Sequence, residues 1–382
     1  MALGTWAQES LRQMGDIQSP VVNNDGTVTF NLVAPKAVKV EVTGDFLPQG
    51  TAEMSEKDGV WTLTTPQLPA ELYSYAFRVD GLQVLDPLNV YINRDVASTR
   101  NIFIVSREDG DKGDLYRVNE VGHGNVAKVW YDSPTLGMKR RMTVYTPAGY
   151  DRGRSYPVLY LLHGAGGDED AWTTLGRAAQ IMDNLIAQGK ARPMIVVMPN
   201  GNVDCQAAPG AWSRGMYQPS FMRSLNPEGA PKSTMEESFP DIIRYVESHY
   251  KVAKGKRHRA ICGLSMGGAH SWLTSKLHPT TFDYVGLFSA AYYLRGQRAQ
   301  SLYEQLQNDA DVQRQLAKLF AQRPALYWIG IGKTDFLYQQ NTDYRRFLDE
   351  HGYPYEYMET EGGHIWRNWR VYLSVFAQKI FK

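Results

Sequence analysis

Residues 259–270 read Arg-Ala-Ile-Cys-Gly-Leu-Ser-Met-Gly-Gly-Ala-His. A short apolar run, Ala260-Ile261-Cys262, leads into Gly263-Leu264-Ser265-Met266-Gly267, and Ala269, Trp272, Leu273 and Leu277 then recur at helical spacing. The pattern is strand, sharp turn, helix, which is the context of a nucleophile elbow. A serine held in a strained turn presents its Oγ above the sheet. Side chains two positions either side of it would collide with the neighbouring strand and helix, hence Gly263 and Gly267. Ser265 is the candidate nucleophile. A Gly-x-Ser-x-Gly pentapeptide also arises by chance in a chain with 34 glycines, and the strand before it and the helix after it decide between the two readings.

Working outward, strands and helices alternate from Gly122 onward. Val126–Tyr131 and Arg141–Tyr145 predict a hairpin, followed by strand Val158–Leu162, a helix around Trp172–Ile186 and strand Met194–Met198. A helix at Met235–Tyr250 precedes the elbow, and strand Tyr284–Ser289 follows it. The remainder predicts helix Leu302–Phe320, strand Leu326–Ile331, helix Asp343–His351, strand Tyr355–Thr360 and a last helix from Asn368 to Ile380. Apolar runs alternating with amphipathic helices mean a mostly parallel sheet covered on both faces. With the elbow after about the fifth strand, the expected fold is an α/β-hydrolase domain over 119–382.

A serine hydroxyl needs an imidazole to take its proton and an acid to orient that imidazole. In this fold they follow in the order Ser, acid, His, each after a strand. His364, in Glu361-Gly362-Gly363-His364, is the one histidine that satisfies both order and placement. His270 lies five residues past Ser265 on one helix, hence about 140° around it. His163 precedes the serine. Asp335, across a short loop from strand Leu326–Ile331, is preferred as the acid over Asp343, whose helix buries Tyr344, Phe347 and Leu348. Two N–H donors are needed for the oxyanion. Met266 supplies one, and Ala165, in the loop His163-Gly-Ala-Gly-Gly-Asp168, supplies the other. No Gly-Lys-Ser/Thr follows that loop, so it does not read as a phosphate cradle.

From Val21 to Val105 the pattern is all β. Val28, Phe30 and Leu32 alternate with polar residues, as do Val38, Val40 and Val42, then Trp61 and Leu63, then Tyr73, Tyr75, Phe77 and Val79. Turn pairs at Asp25-Gly26, Asp58-Gly59 and Asp80-Gly81 separate the runs. The expectation is an immunoglobulin-like β-sandwich over 20–107, with a linker at 108–118 and residues 1–19 as a leader or signal-peptide remnant.

The 382 residues suggest about two domains. A formal net charge of +1 gives no reason to expect a nucleic-acid partner, and no apolar stretch is long enough for membrane insertion. Two cysteines make no disulfide framework. Metal-ligand spacing is absent from the sequence, and no metal or cofactor is expected.

The stretches "M-K-R-R-M-T-V-Y-T-P-A-G-Y", "Y-P-V-L-Y-L-L-H-G-A-G-G", "R-A-I-C-G-L-S-M-G-G", "G-K-T-D" and "G-G-H" resemble, in order, those of the esterase-D-type hydrolases. "I-M-D-N-L-I-A-Q-G-K-A-R-P-M-I-V-V-M-P-N" and "E-S-H-Y-K-V" are most similar to feruloyl esterases of carbohydrate esterase family one. The front of the chain resembles early-set sandwiches related to family-48 carbohydrate-binding modules, on Val38–Phe46, Gly59-Val60-Trp61 and Tyr73–Gly81. The resemblance implies Ser265, Asp335 and His364 as a triad, with Ala165 and Met266 as the oxyanion hole. It implies a secreted or periplasmic esterase that releases ferulate or a related hydroxycinnamate from feruloylated xylo- or arabino-oligosaccharides and xylan. The same group includes acetylxylan and siderophore trilactone esterases, and an inactive glycan-binding protein is the reading from another class. Oligomeric state is open. The insertion Gly201–Thr234, which carries Trp212, Met216, Tyr217 and Phe221, is expected to fold over the site, with its aromatics, Trp212 and Tyr217 foremost, contacting substrate. A chain beginning near Asn119 is expected to keep activity on small esters.

Overall fold

The computed structural model describes residues 17–153, 155–220, 232–292 and 301–382. The leader expected at 1–19 therefore falls almost wholly outside the described residues, as does Phe221 of the insertion. Contacts divide the chain into two units. One is Met1–Asn93 with Thr99–Arg117, and the other is Arg94–Ser98 with Val118–Lys382. The sandwich expected over 20–107 thus gives up five residues to the second unit.

The chain up to Val105 has strands β1 (Val21–Val22), β2 (Val28–Val33), β3 (Val40–Gly44), β4 (Thr51–Glu53), β5 (Ser55–Lys57), β6 (Val60–Thr64), β7 (Glu71–Val79), β8 (Leu82–Val84), β9 (Ile92–Asp95) and β10 (Ser98–Val105), of which Arg94, Asp95 and Ser98 are counted with the second unit. They form one sheet in the order β1-β2-β6-β5 and another in the order β4-β3-β7-β10-β9, with β8 paired to β7. Period-two alternation turns Val28, Phe30 and Leu32 inward from β2. There they share a core with Val40 and Val42 of β3 and Tyr73, Tyr75 and Phe77 of β7. Phe30 meets the rings of Tyr75 and Phe103 at 4.8 and 5.5 Å between centroids. These aromatics are core. Asp58-Gly59 and Asp80-Gly81 place both central residues at positive φ, the geometry that matches hairpin twist.

The expected linker is packed. Tyr116 is buried, and Lys112 reaches the buried Glu71 carboxylate at 2.7 Å. Asp111 accepts the N–H groups of Arg107 and Asp114 at 2.8 Å each. Charge and a missing apolar period read as a linker in the sequence, yet these charges pair locally and hold the segment to the first unit.

In the second unit the strands are β11 (Asn125–Ser133), β12 (Met138–Thr146), β13 (Val158–Leu162), β14 (Ile195–Pro199), β15 (Arg259–Leu264), β16 (Tyr284–Phe288), β17 (Leu326–Gly332) and β18 (Glu356–Thr360). The helices are α1 (Ala171–Thr174), α2 (Ala178–Ala187), α3 (Met235–His249), α4 (Met266–Leu277), α5 (Leu302–Asn308), α6 (Ala310–Ala321), α7 (Tyr338–Glu350) and α8 (Trp366–Ala377). The sheet runs β11-β12-β14-β13-β15-β16-β17-β18. Its first two pairings are antiparallel and the rest parallel. Every residue of β13, β14, β16 and β17 is buried, as covering on both faces requires. Phe239 and Ile242 of α3, Trp272 of α4 and Phe347 of α7 pack in one core with Tyr160, Ile261 and Ile329. Trp328, which alternation turns to the opposite face from Ile329, meets Tyr372 and Phe376 of α8.

Two helices expected as continuous are interrupted. Arg177, at φ 52°, separates α1 from α2, and Asp309 ends α5 and then caps α6 by accepting from the N–H groups of Asp311 and Val312. Helix α7 begins at Tyr338, five residues earlier than the sequence suggested, so Asp343 sits inside it and accepts from Gln339 at 2.9 Å.

Candidate active site

Parallel strands share a direction, so the residues that follow β13, β15, β16, β17 and β18 emerge on one edge of the sheet. Ser265 comes directly after β15 at φ 53° and ψ −114°, a region that residues with a Cβ rarely occupy. The surroundings hold it there. Its N–H donates to Phe288 O at 2.9 Å, and its carbonyl accepts from Ala269 N and Ala291 N at 3.0 and 3.2 Å. A Cβ on Gly267 would lie 2.4 Å from Leu162 O, and one on Gly263 would lie 2.6 Å from the Gly267 backbone. The two glycines let β15 and α4 approach closely enough to make the turn.

Asp335 and His364 come from the loops after β17 and β18. Those loops are joined through their backbones, Lys333 N–H to Thr360 O at 2.9 Å and Thr334 N–H to Gly362 O at 3.0 Å. The His364 Nδ1–H therefore reaches both Asp335 oxygens, at 2.9 and 3.0 Å. Asp335 is buried and also accepts from Leu337 N–H at 2.8 Å. A buried carboxylate on Nδ1 sets the tautomer that leaves Nε2 free to accept a proton. Trp369 meets the imidazole edge-on at 4.9 Å between centroids and is itself tied by its indole N–H to Ser289 Oγ at 3.1 Å.

The loop after β13 turns through Gly164–Gly167, with Gly167 N–H on Gly164 O at 3.1 Å and Gly166 at φ 79°. A Cβ on Gly164 would lie 3.3 Å from Ser265 Cβ, so the loop runs directly beside the serine. The turn closes through Gly167 and does not use the Ala165 N–H. Met266 opens α4, in the first turn, where amides have no partner within the helix and the dipole favours negative charge.

The sequence reading missed what fixes this loop. His163 is 1% exposed. Its Nδ1–H donates to Gly164 O at 2.8 Å and its Nε2 accepts from Gly201 N–H at 2.8 Å, while burial pushes its pKa down to about 4. Arg140 is fully buried on the inner strand β12 and donates to the carbonyls of Asn200, Asn202 and Cys205 at 2.7, 2.6 and 3.2 Å. Arg141, on the opposite face, pairs at 2.6 Å with Glu169, which also accepts from Asn200 Nδ2 and Ala208 N–H. Asp168 pairs with Arg94, and the Trp366 indole donates to Asp95. A Cβ on Gly166 would meet the Val96 side chain at 2.7 Å. Two arginines in an inner strand were the available signal, since a buried guanidinium demands partners.

His270 pairs with Glu236 and takes no part with Asp335. Trp212 is 9% exposed and packs with Cys205, Ala207 and Ala211, whereas Tyr217 is 94% exposed. The insertion spends Trp212 on its own cluster and leaves Tyr217 outside. Both cysteines are free and buried, and burial raises both thiols.

The chain is similar to several known proteins. An endo-1,4-beta-xylanase/feruloyl esterase of Xylanibacter ruminicola is 34% identical over 290 residues, which are 72% of this chain and 36% of that protein. The chain thus spans little more than a third of that relative's length. A CE1 ferulic acid esterase from Anaeromyces mucronatus, solved in complex with ferulic acid, is 26% identical at a TM-score of 0.54 over 70% of this chain and 95% of its own. The enterobactin esterase of Shigella flexneri shares the fold over 92% of both chains, at a TM-score of 0.61 and 15% identity. The model of carbohydrate-binding module 48 (isoamylase N-terminal domain) matches residues 18–91. The Esterase family model matches residues 133–379, well over half of the chain, and the protein belongs to that family.

Proposed function

We propose that the protein is a serine esterase that releases ferulate from feruloylated arabinoxylan and its oligosaccharides, with Ser265, His364 and Asp335 as its triad. One observation carries this reading: the buried Asp335 carboxylate on His364 Nδ1, at the sheet edge where the strained Ser265 emerges. The name of the 34% identical relative and the ferulic acid bound to the 26% identical structure support the acyl group.

In this mechanism Ser265 Oγ attacks the ester carbonyl while His364 Nε2 takes its proton. The oxygen of the tetrahedral intermediate sits between the N–H groups of Ala165 and Met266, whose fixed dipoles need no reorganisation as charge develops. Asp335 stabilises the imidazolium and stays ionised. As the intermediate collapses and its carbon–oxygen bond to the sugar breaks, the imidazolium gives its proton to that sugar oxygen, which leaves as a hydroxyl, and a feruloyl ester remains on Ser265. Water then attacks that ester, again with His364 as base, and frees ferulate and the serine. Tyr217, exposed on the insertion, is a candidate contact for the substrate. A polysaccharide substrate cannot cross a membrane, so the enzyme would work outside the cytoplasm, in the periplasm or secreted.

The test is a comparison of kcat/KM on methyl ferulate, a feruloylated arabinoxylo-oligosaccharide, acetylated xylan and a siderophore trilactone. The feruloyl esters should lead by at least about tenfold. A lead of that size for acetylated xylan or the trilactone overturns the substrate assignment. Full turnover by Ser265→Ala overturns the mechanism.

A further inference from the structure

The His364 imidazole has two aromatic neighbours of opposite character. Trp369 is 6% exposed and hydrogen-bonded to Ser289. Phe336, the residue after Asp335, lies 4.4 Å from the imidazole between ring centroids at an interplanar angle of 47°, yet it is 75% exposed. Packing does not account for that ring, because most of its surface faces solvent. Ile365, the residue after His364, is 40% exposed. An apolar ring standing open directly beside the imidazole, on a loop bonded to the one that carries His364, makes a shelf.

The chemistry says which part of the substrate the shelf meets. The proton taken from Ser265 must be handed by the imidazolium to the leaving-group oxygen, which therefore sits within hydrogen-bond reach of His364. The alcohol portion of the ester departs past the imidazole, and the acyl portion continues from the carbonyl held at Ser265 and the oxyanion donors. The Trp369 side of the imidazole is buried and closed. The Phe336 side is open.

We infer that Phe336 is a binding residue for the alcohol portion of the ester, a platform on which the sugar that carries the acyl group stacks while its oxygen accepts the proton from His364. The inference rests on the esterase reading above and adds its leaving-group side. A sugar presents a face of C–H groups that an aromatic ring covers well, and methanol presents almost none. Phe336 therefore acts while the alcohol is still attached, and not on the acyl-enzyme, from which the alcohol has gone.

The experiment measures wild type, Phe336→Ala and Phe336→Trp on methyl ferulate and on a feruloylated arabinoxylo-oligosaccharide. The ratio of kcat/KM for the oligosaccharide to that for methyl ferulate should fall about tenfold in Phe336→Ala and recover in Phe336→Trp. The de-esterified oligosaccharide, added as an inhibitor, should bind more weakly to Phe336→Ala. An unchanged ratio, including equal losses on both esters from a disturbed His364, overturns the inference and leaves the proposed function standing. A wild type that hydrolyses methyl ferulate and fails on the oligosaccharide overturns the sugar platform. A wild type inactive on both esters overturns the proposed function itself.

Discussion

His364 Nδ1 lies 2.9 Å from Asp335 Oδ2 and 3.0 Å from Oδ1, across loops that follow adjacent parallel strands and are bonded to each other through Thr334 and Gly362. The imidazole is held by the carboxylate and, at right angles, by Trp369. Its tautomer is therefore decided before any substrate arrives. An amide in place of the carboxylate can offer its own N–H to Nδ1 and favour the opposite tautomer. Asp335→Asn should lower kcat by about 10⁴-fold with the fold intact. Asp343→Asn, which alters only a helix residue bonded to Gln339, should leave kcat within about threefold. Steady-state rates on methyl ferulate, alongside circular dichroism of both variants, check this pair.

The elbow stores strain that a glycine would release. Ser265 sits at φ 53°, and such conformations cost of order 1–3 kcal/mol for a residue with a Cβ. Ser265→Gly should abolish turnover and raise stability by about 1 kcal/mol, whereas Ser265→Ala should abolish turnover and keep the strain. Denaturant midpoints distinguish the two. A Ser265→Gly protein no more stable than Ser265→Ala would mean that the turn is not strained.

His163 gives stability a defined pH dependence. Its pKa is about 4 in the folded protein against an ordinary 6.5. Protons bind the unfolded chain first, so the contribution is complete above pH 6.5 and is lost as pH falls toward 4. It amounts to about 3 kcal/mol at full size. Urea unfolding at pH 7.5 and pH 4.5 should show a drop in wild type that is smaller by about that amount in His163→Gln. Parallel curves for the two proteins would contradict the assignment.

Arg94 belongs to the same unit as the loop beside the serine and pairs with Asp168, whose side chain is 1% exposed. Removing it leaves a buried carboxylate without its cation. Because Arg94 is itself 35% exposed, water offsets part of the loss, and Arg94→Ala should cost about 1–3 kcal/mol. A chain beginning at Asn119 lacks all of Arg94–Ser98 as well. That truncation, which the sequence led us to expect would keep its activity, should lose at least tenfold in kcat/KM on methyl ferulate. Full activity in a folded truncation would show that Asp168 does not need this partner.

The insertion should divide by burial. Trp212 packs with Cys205, Ala207 and Ala211, so Trp212→Ala should lower the melting temperature and reduce activity on large and small esters alike. Tyr217, 94% exposed, has no such role in packing. Tyr217→Ala should leave the melting temperature unchanged and affect the feruloylated oligosaccharide more than methyl ferulate. The reverse assignment of the two effects would place Trp212 against the substrate.

The sequence by itself determined the elbow, the alternation of strands and helices, and the choice of Ser265, Asp335 and His364 as candidates. Each of these is written in local terms: glycines two positions from a serine, apolar periods of 2 and 3.6, and a polar residue just past a strand. Tertiary structure alone decided that Asp335 meets Nδ1, because that contact depends on β17 and β18 being neighbours. It also decided that Glu108–Asp114 packs back on the first unit, that Arg94–Ser98 joins the second, and that Trp212 turns inward. The roles of His163, Arg140, Arg141 and Glu169 were hidden for the same reason. A charged or polar side chain carries no periodic signal of its own burial, and which partner satisfies it is fixed only when segments distant in the chain are brought together.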